Sequence, residues 1–278
     1  MATAVHRMRD NGPIAIFSSA LRYRQLIWRL ALREFEAQFR GSLLGRLWAA
    51  LGPLLLLGLY TYVFGVVMEA RWPGTETSGT LHVALLYFVG MVLFGFFVEC
   101  LSRAPNLLLE NVAYIKKVVF PLDVLAWVAL VAATLRLFFS AAILMVFYVA
   151  IEGLPPVSAL ALPVVAAPLA LLSLGCVWFL SALGVYLRDT RQAMIVITPA
   201  IMFMSPVFYP MAVVPEPVRT ILYANPLSFA IESARRALFE GHWPSLPGLA
   251  IYTLLACFLA WLGRFWFISV RGGFADVV

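Results

Sequence analysis

"VFYPMAVVPEPVRTILYANP", residues 207–226, carries four prolines and follows directly on Pro206, within a strongly apolar half of the chain. Each proline removes a backbone donor and drives its ring into the preceding turn. Hydrocarbon offers no water to repair that loss. The stretch therefore cannot be an unbroken membrane helix. With the following "LSFAIESARRALFEG" it allows only two short helices, Pro217–Ala224 and Leu227–Phe239, the second ending before Gly241. Neither reaches across a bilayer. A re-entrant helical pair over 206–247, surrounded by protein, satisfies both the hydrophobicity and the breaks.

Working outward, the 278 residues are 63% hydrophobic and 12% charged. Soluble domains average about 45–50% apolar and about 25% charged. The excess forms long uncharged runs, so the sequence predicts an all-α, polytopic membrane protein. Six spans are expected: Trp48–Met68, Leu81–Leu101, Val124–Ile151, Leu160–Leu187, Gln192–Met211 and about Leu249–Val270. Six crossings place both termini on one side. That side, through 1–47, 102–122, "RDTR" and the end of the last span, holds 15 Arg or Lys, and the opposite loops hold four. The basic face is therefore cytoplasmic, and the broken segment is external. The net charge of +6 is explained by this asymmetry and by anionic headgroups, with no nucleic-acid partner. Arg-rich sequence runs to Arg46 before any long apolar stretch, which does not fit a secretory leader.

Two further pieces do not span. "LRYRQLIWRLALREFEAQFR" (21–40), read as a helix, gathers Arg22, Arg29, Arg33, Glu36 and Arg40 in one stripe, with Tyr23, Ile27, Trp28, Leu30, Ala31 and Phe35 mostly opposite. Arg24 and Glu34 spoil the apolar side. This pattern predicts an amphipathic helix in the membrane interface, within 20–46. "SRAPNLLLENVAYIKKVVFPLD" (102–123) is too polar to span and reads as a short cytoplasmic helix that stops before Pro121.

Catalytic and energising motifs are missing from the sequence. The two lysines, Lys116 and Lys117, do not follow a glycine, so no phosphate-binding G-x-x-x-x-G-K-[ST] loop is present. The three histidines are scattered, and Cys100, Cys176 and Cys257 have no ligand spacing, so no metal site or disulfide framework is indicated. A membrane-bound glycosyl or acyl transferase would need paired acids or a His/Asp motif at a membrane surface, and none occurs. Two intramembrane charges stand out. Glu99 is expected to reach the cytoplasmic interface. Arg136, about 18 Å along span three at 1.5 Å per residue, is the better candidate for a channel-facing or helix-pairing charge. Aromatic residues such as Tyr60, Tyr62, Phe94, Phe96, Phe97, Phe203, Phe208, Tyr209 and Tyr223 concentrate in the outer halves of spans or in the broken region. They suit either interfacial anchoring or stacking on sugar rings.

Several stretches, in order, resemble the type-2 ABC exporter permeases: "REFEAQFRGSLLGRLWAALGPLLLLGLYTYVF" (33–64), "IKKVVFPLDVL" (115–125), "SPVFYPMAVVPEPVRTILYANPLSFAIESARRALFEG" (205–241) and the terminal "GGFADVV". The likeness covers most of 20–278, as a single domain. It is closest to members that export O-antigen, capsular polysaccharide or teichoic acid on a lipid carrier. "RGSLLGRLW" (40–48) looks nearer to the O-antigen and teichoic-acid members than to some capsule exporters. A drug or small-lipid exporter of the same fold is the rival within transport.

The resemblance implies a non-enzymatic permease in the bacterial inner membrane. It would pair with a second copy of itself and with two ATPase subunits that bind the ATP and magnesium, leaving no cofactor or metal in this chain. Residues 206–247 would be the outer gate, with Pro210, Asn225, Pro226, Glu232, Arg235 and Arg236. Residues 102–123 would be the coupling element, with Asn111, Tyr114, Lys116 and Lys117. Arg22, Arg29, Arg33 and Arg40 would meet lipid or substrate phosphate. Tyr60, Tyr62, Phe94, Phe97, Arg136, Phe203, Phe208 and Tyr209 would line the passage of a lipid-linked polysaccharide.

Overall fold

The computed structural model describes residues 15–67, 72, 79–115 and 120–277, and among these there is no β-strand. Lys116 and Lys117 lie outside them. Two consecutive helices open the chain, α1 (Ala15–Arg22) and α2 (Arg24–Ala37). Where one amphipathic helix was expected, the backbone leaves the helical region at Tyr23. The apolar stripe of α2 is real, but it faces protein: Ile27, Ala31 and Phe35 are buried, and the first two pack with Val124, Val128 and Ala132 of a later helix. The arginine stripe stays outside. Gly41 and Gly45, at φ 78° and 50°, then turn the chain toward the bundle in a conformation that side chains resist.

Helix α3 (Trp48–Tyr60) continues in π-helical form over Thr61–Val67. Helix α4 (Thr80–Leu107) is followed by a 3-10 turn, Leu109–Asn111, and the single-turn α5 (Val112–Ile115). Thus 102–107 extends the second apolar helix, and only 109–115 forms separate helical turns. After α6 (Val124–Glu152) and α7 (Leu162–Tyr186) comes α8 (Thr190–Phe203). Then follow α9 (Glu216–Ala224), α10 (Pro226–Phe239), α11 (Leu246–Val270) and α12 (Phe274–Val277). Two short helices were expected near 217–224 and 227–239, and α9 and α10 occupy those positions.

Among the described residues four helical segments are long and apolar enough to cross a membrane: Thr80–Leu107, Val124–Glu152, Val157–Tyr186 and Leu246–Gly273. The remaining two expected spans are shorter, Trp48–Val63 and Thr190–Phe203. The fifth was expected to reach Met211 and ends at Phe203 instead. Pro206 bars the residue before it from continuing a helix, and 14 residues at 1.5 Å each measure about 21 Å.

Helices α4, α6, α7 and α11 form the packed centre. Small residues set their spacing, as is usual where lipid supplies no hydrophobic drive between helices. A side-chain carbon at Gly175 would lie 2.6 Å from the Leu259 carbonyl oxygen and 2.7 Å from the Ala260 Cα. One at Gly263 would collide with the Gly175 carbonyl, and one at Gly184 with the Pro105 backbone. Trp178 is fully buried between them and donates from Nε1 to the Asp123 carbonyl at 3.1 Å.

Candidate permeation and coupling site

The proline-broken segment begins where α8 stops. Helix ends leave carbonyls without partners, and in a membrane those must be met by protein. Here side chains meet them. Ser205 Oγ donates to the Ile201 carbonyl at 2.7 Å, and Tyr209 donates to Phe203 at 2.8 Å. Asn225 Nδ2 donates to the Met204 carbonyl at 2.8 Å and to Ser205 Oγ at 2.9 Å. Its Oδ1 meanwhile accepts from the Leu227 amide at 3.0 Å, capping α10. Pro226 occupies the first turn of α10, where its missing donor costs nothing. One side chain thus closes one helix and opens the next.

Arg235 completes the segment from the other side. It is 3% exposed. Nη1 donates to the Pro206 carbonyl at 2.5 Å and Nη2 to Val207 at 2.6 Å, while Nε donates to Leu86 of α4 at 2.9 Å. Glu232 balances the charge at 3.2 Å, and the guanidinium lies over the Trp72 ring at 4.6 Å. The far end of α10 is held as well. Tyr148 donates to the Leu238 carbonyl at 2.6 Å, and Ser158 to Ala237 at 2.7 Å. Arg236, by contrast, is exposed and only 3.5 Å from Glu240. Helix α9 rests on a small cluster of its own, Met211, Val214 and Leu222 with Tyr209, and exposes Val218, Ile221 and Tyr223.

A line of rings adjoins this segment. Tyr60 and Phe208 have centroids 5.6 Å apart, Phe208 and Tyr87 6.3 Å, and Tyr87 and Trp72 5.6 Å. Tyr62 and Phe203 are exposed, whereas Phe94 and Phe97 are buried in the core.

A second polar constellation sits toward the opposite end of α4. Arg136 of α6 is ion-paired with Glu99 of α4 and donates from Nη1 to Gln38 Oε1 at 2.9 Å. Glu99, expected near the cytoplasmic interface, is engaged by a cation on the neighbouring helix. Glu34 of α2 meets Arg103 of α4 at 2.7 Å. Burial pushes the Glu34 carboxyl above the usual carboxylate range, and Arg103 opposes that shift. Arg33 donates to the Tyr114 hydroxyl at 3.2 Å, Tyr114 stacks on Phe120 at 4.3 Å, and Asn111 Nδ2 donates to the Leu107 carbonyl at 2.8 Å. Arg22, Arg29 and Arg40 are exposed on the outer side of α1, α2 and the following turn. A cleft of about 300 Å³ opens beside the pair, lined by Trp48, Gly52, Phe88, Gly95, Glu99 and Arg136 among others.

The arrangement is one long central helix with polar clamps at both ends and, beside it, a short well-buried helix, α10, joined to a largely exposed one, α9. Such a design suits controlled passage. The sequence agrees with it over most of its length, for residues 25–239 match the family described as ABC-2 type transporter. The chain belongs to the ABC-2 transporter family. Among the relatives of this ABC-2 transporter chain is the O-antigen export system permease protein RfbA of Myxococcus xanthus. It is 26% identical over 267 residues, covering 95% of this chain and all of the relative. Two proteins of Klebsiella pneumoniae with the same description are each 22% identical over 210 residues, 75% of this chain and 78% of theirs.

Sequence reasoning had singled out Arg235, Asn225 and Arg136 in this ABC-2 chain, but it gave no partners for them. Tyr87, Trp72 and Leu86 were missed. Leu86 acts through its backbone, which no side-chain pattern reports. The glycine four residues on, Gly90, is the one trace of it in the sequence.

Proposed function

We propose that this chain is the membrane permease subunit of an ATP-driven exporter that carries lipid-linked polysaccharide, O-antigen or a close relative of it, out across the bacterial inner membrane. The end-to-end alignment with the Myxococcus xanthus O-antigen export permease carries this reading. In this reading α3 and α8 complete six spans, with both termini cytoplasmic, and 206–247 is a re-entrant outer gate. Two copies enclose the passage, and two separate ATPase subunits power it. α8 buries only Thr190 and Met194, and α3 only Leu57, which suits helices that face a second copy and a channel. Tyr60, Phe208, Tyr62, Phe203 and Tyr209 offer ring faces to passing sugars. Each contact is weak, so the polymer slides.

The coupling segment is 102–123, with Asn111, Tyr114, Lys116 and Lys117 toward the ATPase. Arg22, Arg29, Arg33 and Arg40 face the carrier's phosphate at the inner interface. The test is deletion and restoration. Cells without the chain should lose surface polysaccharide and retain the polymer inside; unchanged surface polysaccharide would overturn the assignment. Charge reversal at Lys116 and Lys117 should weaken recovery of the ATPase with the purified permease, and unaltered recovery counts against their role.

A further inference from the structure

We propose that Arg235 pins the outer helix pair to α4, so that α10 moves with α4 as one body and is driven from that helix's cytoplasmic end. This rests on reading 206–247 as the outer closure of an export channel, and it adds how that closure is worked. The prolines alone would suggest a flap that swings freely at its breaks. The contacts say otherwise.

Arg235 takes its acceptors from two different elements: the irregular turn at Pro206 and Val207, and the interior of α4 at Leu86. A guanidinium that merely capped a helix end would have no reason to reach into a second helix. Reaching it requires a gap in the surface of α4, and Gly90 provides one. A carbon added there would lie 2.8 Å from Nη2 and 3.3 Å from the Val207 backbone. Trp72 covers the other face of the guanidinium. Removed from water, these charge-assisted bonds are strong. A second contact joins the same helices farther along, where the rings of His82 on α4 and Phe239 on α10 meet edge to face at 5.1 Å.

From this attachment at Leu86 α4 continues, through Pro105, to Leu107, a rise of about 32 Å at 1.5 Å per residue. Its lower part is gripped in turn. Glu99 pairs with Arg136 of α6, and Arg103 with Glu34 of α2. The 109–115 turns follow directly, with Asn111 bonded back to Leu107. Tyr114, in those turns, accepts from Arg33 of α2. A displacement applied at 109–115 therefore reaches α10 through one continuous helix and one buried arginine. Arg235 is a positioning residue in this scheme: it acts through α4 and the turn it binds, and it touches no cargo.

The experiment uses the permease together with its ATPase subunits, with the three native cysteines replaced by alanine. His82→Cys and Phe239→Cys are joined by a cleavable thiol-to-thiol linker, which ties α10 to α4. Export with the linker in place should stay close to that of the same protein before linking. If the linker stops export and cleaving it restores export, α10 must swing relative to α4, and the proposal is overturned. Gly90→Ala and Arg235→Lys provide a second arm, measured as polymer exported per ATP hydrolysed in complexes that still assemble. That ratio should fall about fivefold or more, the lower end of typical coupling between sites; an unchanged ratio overturns the proposal. A third arm cross-links Tyr223→Cys between two copies. Arrested export supports the closure reading itself. Continued export would remove that reading and this proposal with it, whatever the tether shows.

Discussion

At the crossing of α7 and α11, Gly175 and Gly263 bring backbone against backbone with no room for even a methyl group. Along α3, Gly52 and Gly58 have nothing within 4 Å of the same position, and neither does Gly95 across the gap on α4. The same residue type serves opposite ends. In the first region it draws helices together, the usual employment of small residues in a membrane. In the second it leaves space, and clefts of about 300 and 380 Å³ separate α3 from α4 and α6. The four-helix centre is finished within one chain. Helices α3 and α8, of which only Leu57 and only Thr190 with Met194 are buried, are not. We take the finished part as scaffold and the unfinished part as the working surface of the transporter.

The sharpest break in that contrast comes from adding side chains at glycine. Gly263→Val should cost about 3 kcal/mol or more, the upper range for over-packing, and sharply lower the yield of folded protein in detergent. Gly52→Ala should leave stability unchanged or raise it by up to about 1 kcal/mol, the helix preference of alanine over glycine. Thermal unfolding of the two variants side by side would show whether the regions differ as described.

The Arg136–Glu99 pair tests the join between scaffold and clamp. Arg136→Ala should destabilise by about 3 kcal/mol, because it strands a carboxylate among helices. Replacing both residues, Arg136→Met with Glu99→Leu, should recover most of that loss. Equal costs for single and double variants would mean that the two charges do not act as a unit. A smaller effect is expected at Asn225. Asn225→Ala removes a helix cap worth about 1 kcal/mol, and hydrogen exchange at the first amides of α10 should quicken before the rest of the molecule opens. Smallest of all on stability, Tyr62→Ala with Phe203→Ala, both exposed, should slow export while the complex still assembles.

Much of this was legible in the chain itself. The prolines at 206, 210, 215, 217 and 226 located the two short helices within a residue of where they lie, because proline acts on its own backbone and needs no context. The apolar runs located the four long helices for a similar reason. What periodicity could not supply was the partner of a face. The stripe of Ile27, Ala31 and Phe35 is as apolar as lipid would require, and whether it meets lipid or Val128 is decided by tertiary packing. Glu99 and Arg136 are 37 positions apart and pair only because α4 and α6 run side by side. The end of α8 at Phe203 was misread for a simpler reason: hydrophobicity continues past it to Met211, although the helix does not.

Cysteine cross-linking in native membranes tests most directly whether α8 awaits a second copy of this chain. Ile195, Val196 and Phe203, exposed on α8, would be replaced by cysteine one at a time in the background without native cysteines. Leu254, equally exposed on α11, serves as comparison. At least one α8 position should yield a covalent dimer on mild oxidation while Leu254→Cys stays monomeric. Dimers that form from Leu254→Cys alone, or none from any α8 position, would contradict the account.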